Sequence, residues 1–186
     1  MRPMIVTIRA FLLLLTMAAA APVLAAEYAD SAALDELFNE LRTAGSAGEA
    51  DDVVAQIWDI WFHPTVPDLA DRMQRASAAS SSGDYANALA ILSGIVAAYP
   101  DYAEGWNQRA TLYYELGDFD ASLSDIAKVL AIEPRHFGAL SGRVLIYLRQ
   151  GKRAEALKDM IAALAIDPYL DEKKLFPELS QNTTNV

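Results

Sequence analysis

The chain has 186 residues, with 25 acidic side chains against 15 basic ones, a formal net charge of −10 and no cysteine. A surface this acidic repels phosphate backbones and anionic lipid, which argues against nucleic-acid binding, and without cysteine the fold must be held by packing rather than by disulfides. The length suits one compact domain with a real core.

The first residues read as a secretory signal peptide over 1–25. Arg2 and Arg9 form a positive start, Phe11 to Leu15 an apolar centre, and Val23 and Ala25 stand where a signal peptidase reads, so cleavage is expected after Ala25 or Ala26. The leader holds two of the basic residues and none of the acidic ones, so its removal takes the net charge from −10 to −12. No later stretch is apolar over the roughly 18 residues a span needs, and no membrane insertion is expected after cleavage. The destination is export, and the periplasm if the host has an outer membrane; an uncleaved anchor is the other reading.

Residues 26–66 hold two helical stripes, Leu34, Leu37, Phe38, Leu41 and then Val53, Val54, Ile57, Trp58, Trp61, separated by the turn "TAGSAG" at 43–48. They predict an N-terminal capping hairpin. From residue 67 the chain repeats itself: Pro100, Pro134 and Pro168 are 34 residues apart, and so are Gly83, Gly117 and Gly151. The three copies are 69–100, 103–134 and 137–168. In the middle one, Trp106, Ala110 and Tyr113 precede Gly117, and Ala121, Ile126, Val129 and Leu130 follow it, both sets at helical spacing. Gly117 suits the left-handed end of the first helix, Asp118 can cap the second, and Pro134 stops it.

This register resembles the tetratricopeptide repeat (TPR) family. Trp106, Ala110, Tyr113, Gly117, Phe119, Ile126 and Pro134 match its large, small, aromatic, turn and terminating positions, while Ser122 departs from the usual alanine that Ala88 and Ala156 keep. Copy one lacks the Trp and Tyr, with Arg72 and Ala79 there; copy three has Leu140 and Tyr147. The resemblance implies an all-α fold, a right-handed superhelical stack of helical hairpins, each covering the open apolar face of the next. The degenerate N-terminal hairpin would stand at one end. Residues 169–186 would form a C-terminal cap through Leu170, Leu175 and Phe176, followed by a frayed tail.

Motifs for catalysis are missing. There is no thiol nucleophile, Gly-x-Ser-x-Gly, HExxH or Gly-rich phosphate loop, and neither a cofactor nor a metal site is expected. His63 and His136 lie beside proline turns and read as structural. The aromatic set Trp58, Trp61, Trp106 and Tyr113 reads as a core stripe. Arg75, Arg109 and Arg143 recur at one repeat position where the family usually has Leu. Two arrangements are open: Arg109 and Arg143 pair with Asp125 or Asp159, or all three snorkel to water over their apolar stems.

The resemblance also places the first helix of each repeat on a concave face. The partner-binding groove implied there contains Met73 and Ser77 (with Ser80) from copy one, Glu104, Asn107, Thr111 and Tyr114 (with Glu115) from copy two, and Ser141, Leu145 and Leu148 (with Arg149) from copy three. Tyr114 is expected to turn away from the core of its own repeat. TPR domains that clamp acidic chaperone tails need lysines where this chain has Met73, Asn107 and Ser141, so that specificity is not implied. The expected function is a non-catalytic interaction module of the bacterial cell envelope that binds a protein or peptide segment. The alternative is a structural homo-oligomer stacking end to end.

Overall fold

The structure, a computed structural model, describes residues 31–181; residues 1–30, with the expected signal peptide, and the last five lie outside it. The described residues form helices α1 (Ser31–Thr43), α2 (Ala47–Phe62), α3 (Pro67–Ser81), α4 (Tyr85–Ala98), α5 (Ala103–Glu115), α6 (Phe119–Ile132), α7 (Phe137–Arg149) and α8 (Arg153–Leu164). A short 3-10 turn (Asp171–Leu175) and α9 (Pro177–Gln181) follow, and no strand occurs among the described residues. The 34-residue ladder becomes three hairpins, α3–α4, α5–α6 and α7–α8, in which α4 packs on α5 and α6 on α7.

The three ladder glycines have φ of 80°, 80° and 71°, the left-handed region that favours glycine. In each turn the glycine N–H donates to the carbonyl three residues back (Ser80, Tyr114, Leu148), and the next N–H reaches the carbonyl five residues back (Ala79, Tyr113, Tyr147). Asp84 and Asp118 then accept from the N–H of Asn87 and Ala121, capping α4 and α6. Lys152 occupies the third cap position, and α8 begins without a side-chain cap.

Where the two helices of a repeat approach, Ala88, Ser122 and Ala156 are all fully buried or nearly so. Ser122 is tolerated because its hydroxyl donates to the Ala110 carbonyl at 2.8 Å. Repeat one is cored by Leu69, Met73, Ala76, Leu92 and Ile95, and repeat three by Leu140, Val144, Met160 and Phe176, the last fully buried from the C-terminal segment.

Hairpin α1–α2 is placed differently. Its buried residues, Leu34, Leu37, Phe38, Leu41, Val53, Ile57 and Trp61, cluster with Phe137, Ile166, Tyr169 and Leu170, and no residue of α3 or α4 belongs to that cluster. Polar contacts follow the same path: Tyr169 donates to the Ala44 carbonyl at 3.2 Å, Tyr102 to the Trp61 carbonyl at 2.6 Å, and Arg135 pairs with Asp35. Burial pushes the Tyr102 phenol well above its ordinary pKa, so it remains a donor. Gly138 explains how α2 can come so close, because a Cβ there would stand 2.7 Å from Cη2 of Trp58. The hairpin thus reaches past the first repeat to the start of α7 and the C-terminal segment.

Candidate functional site

The recurrent arginines settle into two behaviours. Arg109 grips Asp125 through Nε and Nη2 at 2.7 and 2.9 Å, and Arg143 grips Asp159 in the same way at 2.6 and 2.8 Å. Both aspartates are buried, and each pair joins the two helices of one repeat. Arg109 also donates to Ser93 of α4 at 3.2 Å, tying repeat two to repeat one. The bond to the aspartate raises the pKa of either guanidinium further. Arg75 has Ile91 at the corresponding level and makes only a 3.5 Å contact with exposed Asp71 one helical turn away. Pairing therefore holds for copies two and three, and the solvated arrangement for copy one.

Trp106 and Tyr113 are half-buried rather than fully enclosed. The Trp106 indole donates to the Pro100 carbonyl at 2.9 Å, and the Arg109 guanidinium lies 5.0 Å from its ring. Trp106 packs on the core of repeat two as expected, whereas Tyr113 joins no apolar cluster of the described residues and instead lies 5.8 Å from the Arg109 guanidinium, a correction to the core reading.

On the concave side α2 crosses the first helices of the repeats, and Phe62 borders two compartments. One, of about 900 Å³, lies along α3 and is lined by Phe62, Met73, Ser77, Ser80 and Leu92. The other, of about 660 Å³, is walled by Trp58 and Phe62 of α2, by Asn107, Thr111, Tyr114 and Glu115 of α5, by Ser141 and Leu145 of α7, and by Leu170 and Glu172. Ser141 is 6% exposed, and its Oγ is buried without a hydrogen-bond partner. Ser141 therefore contributes to the wall of the second compartment, while its hydroxyl oxygen is itself closed to solvent.

The groove assignment needs four corrections. Glu104 faces inward: it is 1% exposed, and its carboxylate accepts from Asn107 at 3.1 Å, from Gln108 and from His136 Nε2 at 3.0 Å. Leu148 lines neither compartment and packs against the core of repeat three. Met73 borders the first compartment but is 5% exposed and belongs mainly to the core of repeat one. Tyr114 lines the groove but also packs on Phe119 of its own repeat, 5.6 Å between ring centres, and accepts from Arg149 Nε at 2.9 Å.

His136 is structural, though more elaborate than a turn residue. Fully buried, it accepts the Ala139 N–H at Nδ1 (3.1 Å), capping α7, which leaves Nε2 as the protonated nitrogen that donates to Glu104. Its ring stacks on Trp61 at 4.0 Å and 5°. Enclosed in this way, the His136–Glu104 pair has no opening for a substrate. His63 is exposed beside Asp59 at the end of α2, and no group of side chains suited to a metal occurs among the described residues.

Sequence reasoning placed none of Phe62, Leu170 and Glu172 in the groove: it reads Trp58 as core, holds the edge from Trp58 to Phe62 as a second surface to test, and gives Leu170 to the C-terminal cap. The exposed apolar ring at the end of α2 was the available signal for Phe62. No helix of the described residues is long and apolar enough to cross a membrane.

The sequence profile described as Tetratricopeptide repeat matches residues 73–128 and 107–171. Among solved structures, the first TPR of Spaghetti (RPAP3), bound to HSP90 peptide SRMEEVD, is similar with a TM-score of 0.57 and 22% identity, over 63% of this chain and 94% of that one. The crystal structure of MamA is similar with a TM-score of 0.51 and 21% identity, over 75% and 77% of the two chains. At such identities the likeness is one of fold. No curated protein sequence matches the chain. The ladder, the glycine turns and the profile lead to one conclusion: the chain belongs to the tetratricopeptide repeat family.

Proposed function

We propose that the protein is a non-catalytic docking module of the bacterial cell envelope that holds a protein segment in the compartment between α2, α5 and α7. The observation that carries the reading is the concavity itself, in which apolar walls from Trp58, Phe62, Leu145 and Leu170 stand beside the polar side chains of Asn107 and Thr111. A fold relative that holds a peptide, the RPAP3 domain with its HSP90 peptide, supports the general mode but not the same ligand. End-to-end assembly finds less support, since Phe176 covers the last repeat and the N-terminal hairpin is itself packed against the C-terminal segment.

Thr111 is exposed on the groove wall, so Thr111→Trp should plug the compartment without disturbing the core. Capture from envelope extracts should then lose a partner that the wild type retains, at an unchanged melting temperature; equal capture by both would refute the groove. The envelope assignment rests on the leader. Mass spectrometry of the native protein should find an N-terminus at Ala26 or Glu27, and an intact Met1 would overturn cleavage.

A further inference from the structure

We infer that the second compartment selects a segment carrying a lysine or arginine beside an apolar anchor, and that Glu115 and Glu172 read the basic residue. The inference rests on the groove reading above and gives its ligand a chemistry. The lining contains two carboxylates and neither lysine nor arginine. Glu115 comes from the end of α5 and Glu172 from the 3-10 turn, and neither has an ion-pair or hydrogen-bond partner among the described residues.

The cations close by in sequence or space already have partners, and of them only Arg149 sits on a wall residue, Tyr114, without itself joining the lining. Lys173 donates to the Pro168 carbonyl at 3.2 Å and lies over the Tyr169 ring, Lys174 pairs with Asp171 at 2.6 Å, and Arg149 is held on Tyr114. Two unpaired carboxylates bordering an apolar concavity concentrate a negative field over it, because the low-dielectric walls screen less than water does. An acidic tail would meet repulsion there, whereas a basic side chain would meet two acceptors while its apolar neighbour fills the space between Trp58 and Leu145.

The test uses the chain from Ala26 onward and three fluorescein-labelled nonapeptides. They share a central Leu-Phe pair and are flanked by arginines, by serines or by aspartates. Fluorescence anisotropy at low salt should rank them basic, neutral, acidic, with the basic peptide at least tenfold tighter than the neutral one, and added salt should narrow that gap. Glu115→Gln and Glu172→Gln should each weaken the basic peptide by about fivefold, the upper range for an exposed ion pair, and leave the neutral peptide unchanged. Both side chains are at least partly exposed, so the variants should fold, which circular dichroism checks. If the basic and neutral peptides bind equally, or the preference survives both substitutions, the carboxylates do not read charge; the groove itself then stands only if Thr111→Trp still blocks binding. Peptide binding indifferent to Thr111→Trp, or no binding by any peptide, overturns the groove and this inference together.

Discussion

Removing the Arg109 guanidinium should cost far more than removing Arg75, although the two residues hold the same repeat position. In Arg109→Ala the Asp125 side chain, 5% exposed, loses both donors of a bidentate bond, and stranding a buried charge costs about 3 to 5 kcal/mol. Arg109 is itself 16% exposed, so water can reach part of the vacated space, which favours the lower end of that range. Loss of the contact with the Trp106 ring adds about 0.5 to 1 kcal/mol. A total near 3 to 4 kcal/mol converts to a fall of roughly 10 °C in Tm for a domain of this size. Arg75 is 62% exposed and 3.5 Å from its partner, so Arg75→Ala should lose less than about 0.5 kcal/mol. Replacing the pair by Arg109→Leu with Asp125→Ile, the residue repeat one carries at that level, should recover most of the loss. Urea melts of the four proteins measure this directly. Equal losses for Arg75→Ala and Arg109→Ala would refute the argument that burial decides the value of these pairs.

Gly138→Ala should loosen α1–α2, since its methyl would need the space of the Trp58 ring; faster proteolysis between Ala44 and Thr65 at little change in far-UV helicity is the expected readout. Tyr114→Ala should lower stability by roughly 1 to 2 kcal/mol because Phe119 and Arg149 lose a partner, whereas Tyr114→Phe should lose only the hydroxyl contribution of about 1 kcal/mol or less, as denaturant melts would resolve. Asp167 is held above the usual aspartate value near 3.8, chiefly by burial and further by Asp51 and Glu172, against the opposing Tyr169 N–H. The folded state therefore holds the proton more tightly, and the stabilisation this brings is full below about 3.8 and is lost as pH rises through the folded pKa. Asp167→Asn keeps the acceptor for Tyr169 and should raise Tm at pH 7, with an advantage that disappears as pH falls below 4; an advantage independent of pH would place its origin elsewhere.

The repeat array was open to reading because each hairpin is specified locally, by a glycine turn and stripes at helical spacing, with a capping aspartate in the first two. The pairing of Arg109 with Asp125 was open for the same reason, since sixteen residues across one hairpin put the two at one level. Glu104 and Leu148 were misplaced because periodicity tells which side of a helix faces the concavity but not what else enters it. Trp61 and His136 arrive from other elements and enclose Glu104. Leu148 is drawn into the core of repeat three, where Phe176 of the C-terminal segment is buried. The walls formed by Phe62 and Leu170 were hidden because they depend on the hairpin crossing the repeats, a contact between segments about a hundred residues apart.

That crossing alters how the molecule should come apart. A simple array of repeats touches only its neighbours, so its units can fray from either end nearly independently. Here Ala44 receives a bond from Tyr169, and Asp35 holds Arg135, so an early segment is fastened to a late one. Fraying of the last repeat must release the first hairpin as well, which joins both ends into one cooperative unit. The chain also cannot finish folding in the order it is made: α1 and α2 emerge first but gain their partners only when Phe137 and Leu170 are in place. Until then Trp61 stays exposed, which gives the incompletely folded chain a tryptophan-bearing surface that the folded protein closes.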